Sequence, residues 1–205
     1  LKANGCTFIA GEAKFTSAKT MEVKTKEGMV NLSFQHCVIA TGSRPAALPG
    51  FTVDNKQILD STGALSQQEI PKTMLCIGGG YIGLELGMFY TKVGTKVTVV
   101  EAFPTLLGMV DPDLTKVVQR RMDKMGMKTL LKTKVAFGKQ SSKGIEVSLT
   151  PEGGKAETQT FDKVLVTIGR TPNSENLGLE KTGIKLDAKG FIPVDAQRRT
   201  KIGRA

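Results

Sequence analysis

The sequence predicts an α/β fold: a parallel sheet with helices packed on it, joined to an antiparallel β-meander. Three observations predict it. Residues 73–101, TMLCIGGGYIGLELGMFYTKVGTKVTVVE, read as strand, glycine-rich turn, helix and second strand in succession. Asp111-Pro112-Asp113 then opens a further helix that leads to a third strand candidate at residues 128–131. Last, residues 135–138, 144–150 and 157–161 are short extended runs, separated by the turn sequences Ser142-Lys143-Gly144 and Glu152-Gly153-Gly154.

The stretch 73–101 organises the rest. Met74-Leu75-Cys76-Ile77 is an apolar run short enough for one buried strand. Residues 78–83, GGGYIG, fit G-x-G-x-x-G. Ile82, Leu86, Phe89 and Val93 recur at helical spacing, Gly94 ends the helix, and residues 96–100 form the next strand, finishing on Glu101. Each part has a task in a Rossmann-like, dinucleotide-binding unit. Gly78 allows the tight turn, Gly80 lets a pyrophosphate approach the backbone, and Gly83 lets helix and strands pack closely. The free N–H groups and dipole of the helix N-terminus hold the phosphate. A carboxylate at Glu101 accepts hydrogen bonds from a ribose 2′-OH and repels a 2′-phosphate, which argues for NAD over NADP. Alone the glycine motif is weak evidence; between two strands, with a helix and a terminal acid, it is strong.

Taken in order, residues 4–11 read as a strand running into Gly11, and residues 12–15 as a short extended piece. Residues 20–24 and 29–34 alternate apolar and polar around Lys26-Glu27-Gly28, a hairpin pattern. Residues 37–42, CVIATG, read as a short buried strand, and the prolines and glycines of residues 43–50 break regular structure. A short helix is expected near residues 61–67. After Glu101 a loop runs to Val110. Asp111 is the expected N-cap, with Pro112 at the first helical position. Leu114, Val117, Val118, Arg121, Met122 and Met125 give that helix its expected face, and Gly126 stops it. Residues 163–169, KVLVTIG, are strongly apolar and read as another strand; the tail carries turns and one extended run at 191–194. CVIATGSRP (37–45) and VLVTIGRTP (164–172) echo one another, which suggests two related dinucleotide-binding units, the first incomplete.

Composition bounds the function. The 205 residues suffice for one large or two small domains, and 40% hydrophobic with 23% charged content is that of an ordinary folded chain. The formal net charge is +10, but the 29 Lys and Arg are scattered, and two Tyr with no Trp offer little surface for base stacking. The expectation is a basic surface around an anionic dinucleotide, with no nucleic-acid partner. No apolar run approaches the ~20 residues that span a bilayer, so no membrane partner is expected. Cys6, Cys37 and Cys76 form no C-x-x-C pair, so no metal site is expected. Cys37 and Cys76 read as small buried hydrophobes, in a reducing compartment. His36 beside Cys37 would point to the opposite face of a strand, so the two do not form a catalytic pair. The first residue is Leu1, and the N-terminus reads as cut or processed.

Together these landmarks resemble the flavoprotein disulfide reductases, the family of glutathione reductase, mercuric reductase and dihydrolipoamide dehydrogenase. DSTGAL (60–65), IPKTMLCIGGGYIGLELG (70–87), VVEAFPTLLGMVD (99–111), DKVLVTIGRTPN (162–173) and NLGLEKTGIKLDAKGFIPVDAQRRT (176–200) are similar to the dihydrolipoamide dehydrogenases in particular. The resemblance implies an NAD-dependent oxidoreductase acting on a sulfur group. Dihydrolipoamide reduces an enzyme disulfide, the thiolate passes electrons to FAD, and FAD passes hydride to NAD⁺. Carried over, Gly78, Gly79, Gly80, Ile82 and Gly83 would hold the NAD pyrophosphate and Glu101 the adenosine ribose. Val135 would line the adenine pocket, and Ile168, Gly169 and Arg170 the NAD groove. Tyr81 would cover the nicotinamide pocket, or else is a helix-start aromatic packing locally. Glu85 would lie near the nicotinamide ring, or else is a favourable charge near a helix N-terminus. Ala13, Thr41 and Gly42 would touch FAD.

The departures are informative. No second G-x-G-x-x-G and no C-x-x-x-x-C pair is present in these residues, nor the family's C-terminal dimerisation domain with its catalytic His and Glu. The sequence therefore reads as the middle of such an enzyme. Residues 71–173 are the NAD-binding domain, residues 1–70 part of the FAD-binding domain, and residues 174–205 the return to it. No catalytic residue is assigned, the FAD site is incomplete, and the chain alone is expected to be inactive. The parent would be a homodimer serving a lipoamide-bearing acyltransferase complex, in a bacterial cytoplasm or a mitochondrial matrix. Two alternatives stay open: a non-catalytic dinucleotide-binding module, and another NADH-dependent reductase of the mercuric or coenzyme-disulfide type. The flanks carry apolar faces that the rest of a FAD domain would cover, and these should be partly exposed or paired with another copy.

Overall fold

The computed structural model describes residues 2–200. In chain order the strands are β1 (Glu12–Ser17), β2 (Thr20–Lys24), β3 (Met29–Ser33), β4 (Ser43–Pro45), β5 (Ile58–Leu59), β6 (Thr73–Ile77), β7 (Lys96–Val100), β8 (Lys128–Leu130), β9 (Thr133–Ser141), β10 (Gly144–Pro151), β11 (Glu157–Phe161), β12 (Lys163–Val166) and β13 (Arg170–Pro172). The α-helices are α1 (Ser61–Leu65), α2 (Tyr81–Lys92) and α3 (Pro112–Lys124). The chain forms two compact units. The larger is Pro45–Arg170; the smaller takes the described residues up to Arg44 and from Thr171 on. The larger unit starts ahead of the glycine motif because β5, in residues 45–70, pairs with β12.

The larger unit is built on a five-stranded sheet in the order β5-β12-β6-β7-β8, with every pair parallel. Its central strands β12, β6 and β7 are mostly apolar, with Lys163, Thr73 and Lys96 confined to their first positions and Thr98 within β7, as burial on both faces favours. Alternation then sorts the side chains. Met74, Cys76, Val97, Val99 and Leu165 face α1, α2 and α3, in one core with Leu84, Tyr90 and Met122. Leu75, Ile77, Val100, Val164 and Val166 face the other way, against Ile145, Val147 and Leu149 of the meander. That meander is antiparallel, in the order β11-β10-β9; β9 and β10 are longer than the expected runs, and β11 has the expected bounds. Thus α2 and α3 arise where expected, as do the strands around them. Asp111 caps α3 by accepting the Asp113 N–H at 2.9 Å, and Asp60 caps α1 by accepting the Gly63 N–H at 2.8 Å.

The helix faces are shifted from the expected ones. In α2 the buried residues are Gly83, Leu84, Gly87 and Tyr90, while Phe89 and Val93 are exposed. The helix lies so close to the sheet that two of these four positions are glycines: a Cβ on Gly87 would stand 3.0 Å from Met127 Cε and 3.5 Å from Cys76 Sγ. In α3 Met122 is buried and Val118 and Met125 are half-buried, but Leu114, Val117 and Arg121 are exposed. Gly94 and Gly126, at φ +105° and +79°, follow the two helices as stops.

The smaller unit holds the antiparallel sheet β1-β2-β3, which includes the expected hairpin. Its core is thin: Phe15, Leu179 and Ile184, with Met21, Phe34 and Ile192 packed on them. Two expected strands are absent. Residues 4–11 and 37–42 lie in no strand, Phe8 and Val38 are 73% and 89% exposed, and Cys37 is exposed rather than buried. An apolar run becomes a buried strand only where neighbours complete its hydrogen bonds, and no strand among the described residues pairs with either run. The extended run at 191–194 also forms no strand, and Phe191 is half-exposed.

Candidate functional site

The C-terminal ends of β6 and β7 open onto a cleft of about 1040 Å³, wholly within the larger unit. This is where open α/β sheets bind ligands. The cleft brings together Gly78, Gly79, Gly80, Tyr81, Ile82, Glu101, Val135, Ile168, Gly169 and Arg170. Gly83 and Glu85 do not line it. Gly83 packs beneath it, and Glu85 is exposed on α2.

The glycines do distinct things. Gly78 turns at φ +107°, and a Cβ there would stand 2.5 Å from the Thr167 carbonyl oxygen. A Cβ on Gly83 would collide with the Gly78 carbonyl oxygen and Thr167 Oγ1. Gly80, the N-cap of α2, has no atom within 4 Å of its missing Cβ, so its backbone faces open space. Its carbonyl accepts the Leu84 N–H at 3.0 Å, the first bond of the helix, which leaves the first-turn N–H groups aimed outward. No acid in the first turn of α2 opposes an anion there.

Glu101 closes the other side. Its Oε2 accepts the Gly79 N–H at 2.6 Å and its Oε1 the Phe103 N–H at 2.9 Å. Its own backbone is fixed by the Leu130 carbonyl and the Thr133 N–H, at 2.8 and 3.0 Å. The carboxylate is thereby held at a set position, with capacity to accept further hydrogen bonds. Exposed Tyr81, at the first position of α2, also lines the cleft. Sequence reasoning missed the apolar wall formed by Leu48, Phe103, Leu107 and Met109, and the adjacent Thr133 and Lys134. Residues 102–110 carry no regular pattern; their one signal is that they follow the acid directly.

The smaller unit has its own recess of about 600 Å³, lined in part by Ala13 and Thr41 but not by Gly42. Gly42, at φ +72°, accepts the Asn173 N–H at 3.0 Å, and the Thr41 hydroxyl donates to the Asn173 carbonyl at 2.7 Å. Of the thiols, Cys6 and Cys37 are exposed and Cys76 is enclosed in β6, where burial pushes it up to about 12. A thiol of that kind is inert as a nucleophile. Among the described residues no cluster of His, Cys, Asp and Glu could hold a metal ion, and no helix is long and apolar enough to cross a membrane.

Residues 1–204 match the family model described as pyridine nucleotide-disulphide oxidoreductase. The dihydrolipoyl dehydrogenase of Geobacillus stearothermophilus is 41% identical over 98% of this chain and 43% of its own. The mitochondrial dihydrolipoyl dehydrogenase 1 of Arabidopsis thaliana is 42% identical over 95% of this chain and 39% of its own. Among solved structures, LpdA from Mycobacterium tuberculosis superposes with a TM-score of 0.87 at 25% identity, over 98% of this chain and 44% of that one. The HOCl-induced flavoprotein disulfide reductase RclA from Escherichia coli, in its Cu(II) complex, gives 0.83 at 27% identity, over 95% and 43%. The chain therefore spans less than half the length of these relatives.

Proposed function

Because the chain belongs to the pyridine nucleotide-disulphide oxidoreductases, we propose that its cleft binds NAD(H), as the nicotinamide-dinucleotide portion of a flavin-dependent dihydrolipoamide dehydrogenase. In this reading residues 71–173 are the NAD-binding domain, and residues 1–70 and 174–205 belong to a FAD-binding domain. One observation carries the reading: the Glu101 carboxylate is hydrogen-bonded to the Gly79 N–H of the phosphate turn itself. Turn and acid are one assembly, spaced for the pyrophosphate and ribose of a single ligand.

The residues fit NAD(H). The open backbone at Gly80 and the first-turn N–H groups of α2 take the pyrophosphate. Glu101 takes ribose hydroxyls and disfavours a 2′-phosphate by charge. Tyr81 and residues 168–170 line the length of the cleft along which the nicotinamide half extends. When bound, NAD⁺ supplies the hydride acceptor; the chain's residues orient it and exclude water. For FAD the fit is partial. Ala13 and Thr41 line a recess, but no second glycine motif is available for a flavin pyrophosphate, and no step is assigned to flavin here. With no C-x-x-x-x-C pair, these residues by themselves turn over no dihydrolipoamide.

Calorimetric titration with NADH and NADPH, for the wild type and Glu101→Ala, tests the reading. The expected result is NADH binding at least about tenfold tighter than NADPH, with the ratio collapsing toward one in the variant. Equal affinities in the wild type, a ratio unmoved by the substitution, or no binding of either nucleotide would overturn it.

A further inference from the structure

The lysines are scattered along the sequence but not in the fold. Strands β12, β6, β7 and β8, adjacent in that order, each begin at a lysine. Lys163, Lys96 and Lys128 are the first residues of β12, β7 and β8, and Lys72 stands just before β6. The register sets Lys96 beside Thr73, Lys163 beside Met74 and, through Thr98, Lys128 level with Leu75. The four form one row across the N-terminal end of the sheet, opposite the end that opens onto the cleft. At the same end α2 finishes on Lys92 and α3 on Lys124. Lys163 is half-buried, its Nζ donating to the Lys56 carbonyl; the other five are exposed. Among the described residues none of the six is in an ion pair. Of the acids nearby in the chain, Asp162 accepts the Thr73 N–H at 2.8 Å and Asp123 accepts from Gln119 at 2.9 Å. Glu69 is exposed and makes no ion pair either.

Lys92 and Lys124 have a task in the fold, since a cation at a helix C-terminus offsets the dipole. The row at the strand starts has none. Like charges on neighbouring strands destabilise a sheet, and no carboxylate here compensates them. A local rule broken without compensation marks a functional surface. We propose that this row docks an extended acidic segment of a partner protein, rich in Asp and Glu. The row crosses three strand intervals, roughly 14 Å, which an extended chain covers in about five residues. Its chemistry fits carboxylates better than phosphates. None of the four is arginine, the residue suited to phosphate and nucleic acid. Nor do α2 and α3 offer N-terminal N–H groups at this end; they present C-termini, whose dipoles repel an anion brought against the backbone. An anion is therefore held at arm's length, by lysine side chains alone. The proposal stands apart from whatever the cleft binds.

The test is fluorescence anisotropy at low salt with a labelled oligoglutamate peptide. An oligoglutamine peptide, a short DNA duplex and phosphatidylserine vesicles are compared with it. The row is reversed in Lys72→Glu/Lys96→Glu/Lys128→Glu. The control Lys26→Glu/Lys185→Glu/Lys189→Glu makes the same change in net charge at exposed positions of the smaller unit. The row variant should weaken the oligoglutamate peptide at least about tenfold, and the control less than about threefold. A neutral variant, Lys72→Gln/Lys96→Gln/Lys128→Gln, should also weaken the peptide. Its thermal midpoint should stay level or rise slightly, because it removes repulsion and breaks no ion pair. A midpoint that falls would mean that the lysines serve the fold, and would overturn the proposal. So would a wild type that binds no oligoglutamate, or binds oligoglutamine equally well. Equal losses in row and control variants would reduce the effect to net charge and overturn it too. Tighter binding of duplex or vesicles than of peptide, lost in the row variant, would assign the row to nucleic acid or to a membrane instead.

Discussion

Two stretches of this chain are nearly interchangeable on paper and opposite in the fold. CVIATG (37–42) and VLVTIG (164–169) are both short apolar runs ending in glycine. The second opens within β12, lies between β5 and β6, and is fully buried at Val164 and Leu165. The first lies in no strand, and Val38 is 89% exposed. The difference is not in the residues. A strand of a parallel sheet is defined by the strands on either side, which complete its hydrogen bonds and cover both faces. Residues 164–166 have both neighbours; residues 37–42 have none among the described residues.

Substitution at matched positions is the strongest way to break this comparison. Leu165→Ala removes a buried side chain from the helix-facing core and should cost about 2–5 kcal/mol. Val38→Ala should stay within about 0.5 kcal/mol, as exposed substitutions do. Urea denaturation reads both. Similar losses at the two sites would mean that residues 37–42 are packed after all. The terminal glycines sharpen the point at smaller amplitude. Gly169 is at φ +131°, far from the left-handed well near +57°, whereas Gly42 at +72° is close to it. Gly169→Ala should cost about 1–3 kcal/mol and Gly42→Ala about 1 kcal/mol. Equal costs would remove the backbone argument.

Thiol reactivity gives the same contrast without changing stability. Cys37 opens the first echo and is exposed; Cys76 lies in β6, paired with Leu165 of the second. With a disulfide reagent at pH 8, Cys6 and Cys37 should react in the folded protein, Cys37 slowed because partial burial raises its pKa. Cys76, pushed up to about 12, should react only in denaturant. A third thiol titrating without denaturant would show that β6 opens readily.

What was legible in the sequence follows the same rule. Residues 73–101 declared themselves because strand, turn and helix are each set locally: period two gives way to period 3.6, with glycines at the joint. Asp111-Pro112 marked its helix for the same reason. What was not legible depended on partners. Residues 4–11 and 37–42 have strand composition but no strand paired with them among the described residues. The buried face of α2 was misread because a helix that packs this closely presents Gly83 and Gly87, while pattern-reading looks for large apolar residues. In the cleft, the motif residues and Glu101 were found. Phe103, Leu107 and Met109 were not, since nothing in an irregular loop shows that hydrogen bonds to Gly79 and Glu101 will fold it back over the site.

The smallest expected effect concerns the neighbour that makes residues 164–166 internal. Strand β5 is only two residues long, and its entry turn is tied by Asp54. Oδ1 accepts the N–H groups of Lys56, Gln57 and Ile58 at 2.8–2.9 Å, and Oδ2 accepts from Gln140 of the meander at 2.7 Å. Burial nudges this carboxyl up, but the bonds from Gln140 and the three backbone N–H groups together outweigh it and hold it at about 2. A carboxyl lowered in the folded state adds stability that is complete above its unfolded value, near 3.9, and is lost as pH falls toward the folded value. Asp54 is exposed, so water screens most of the effect and the contribution is small. Asp54→Asn keeps the acceptor oxygen and removes the charge. The urea midpoint of the variant should therefore lie slightly below wild type at pH 7, and the gap should close between about pH 4 and pH 2. A gap that stays constant across that window would mean that the turn holds β5 by geometry alone, and that the charge on Asp54 does nothing for the strand that buries Val164 and Leu165.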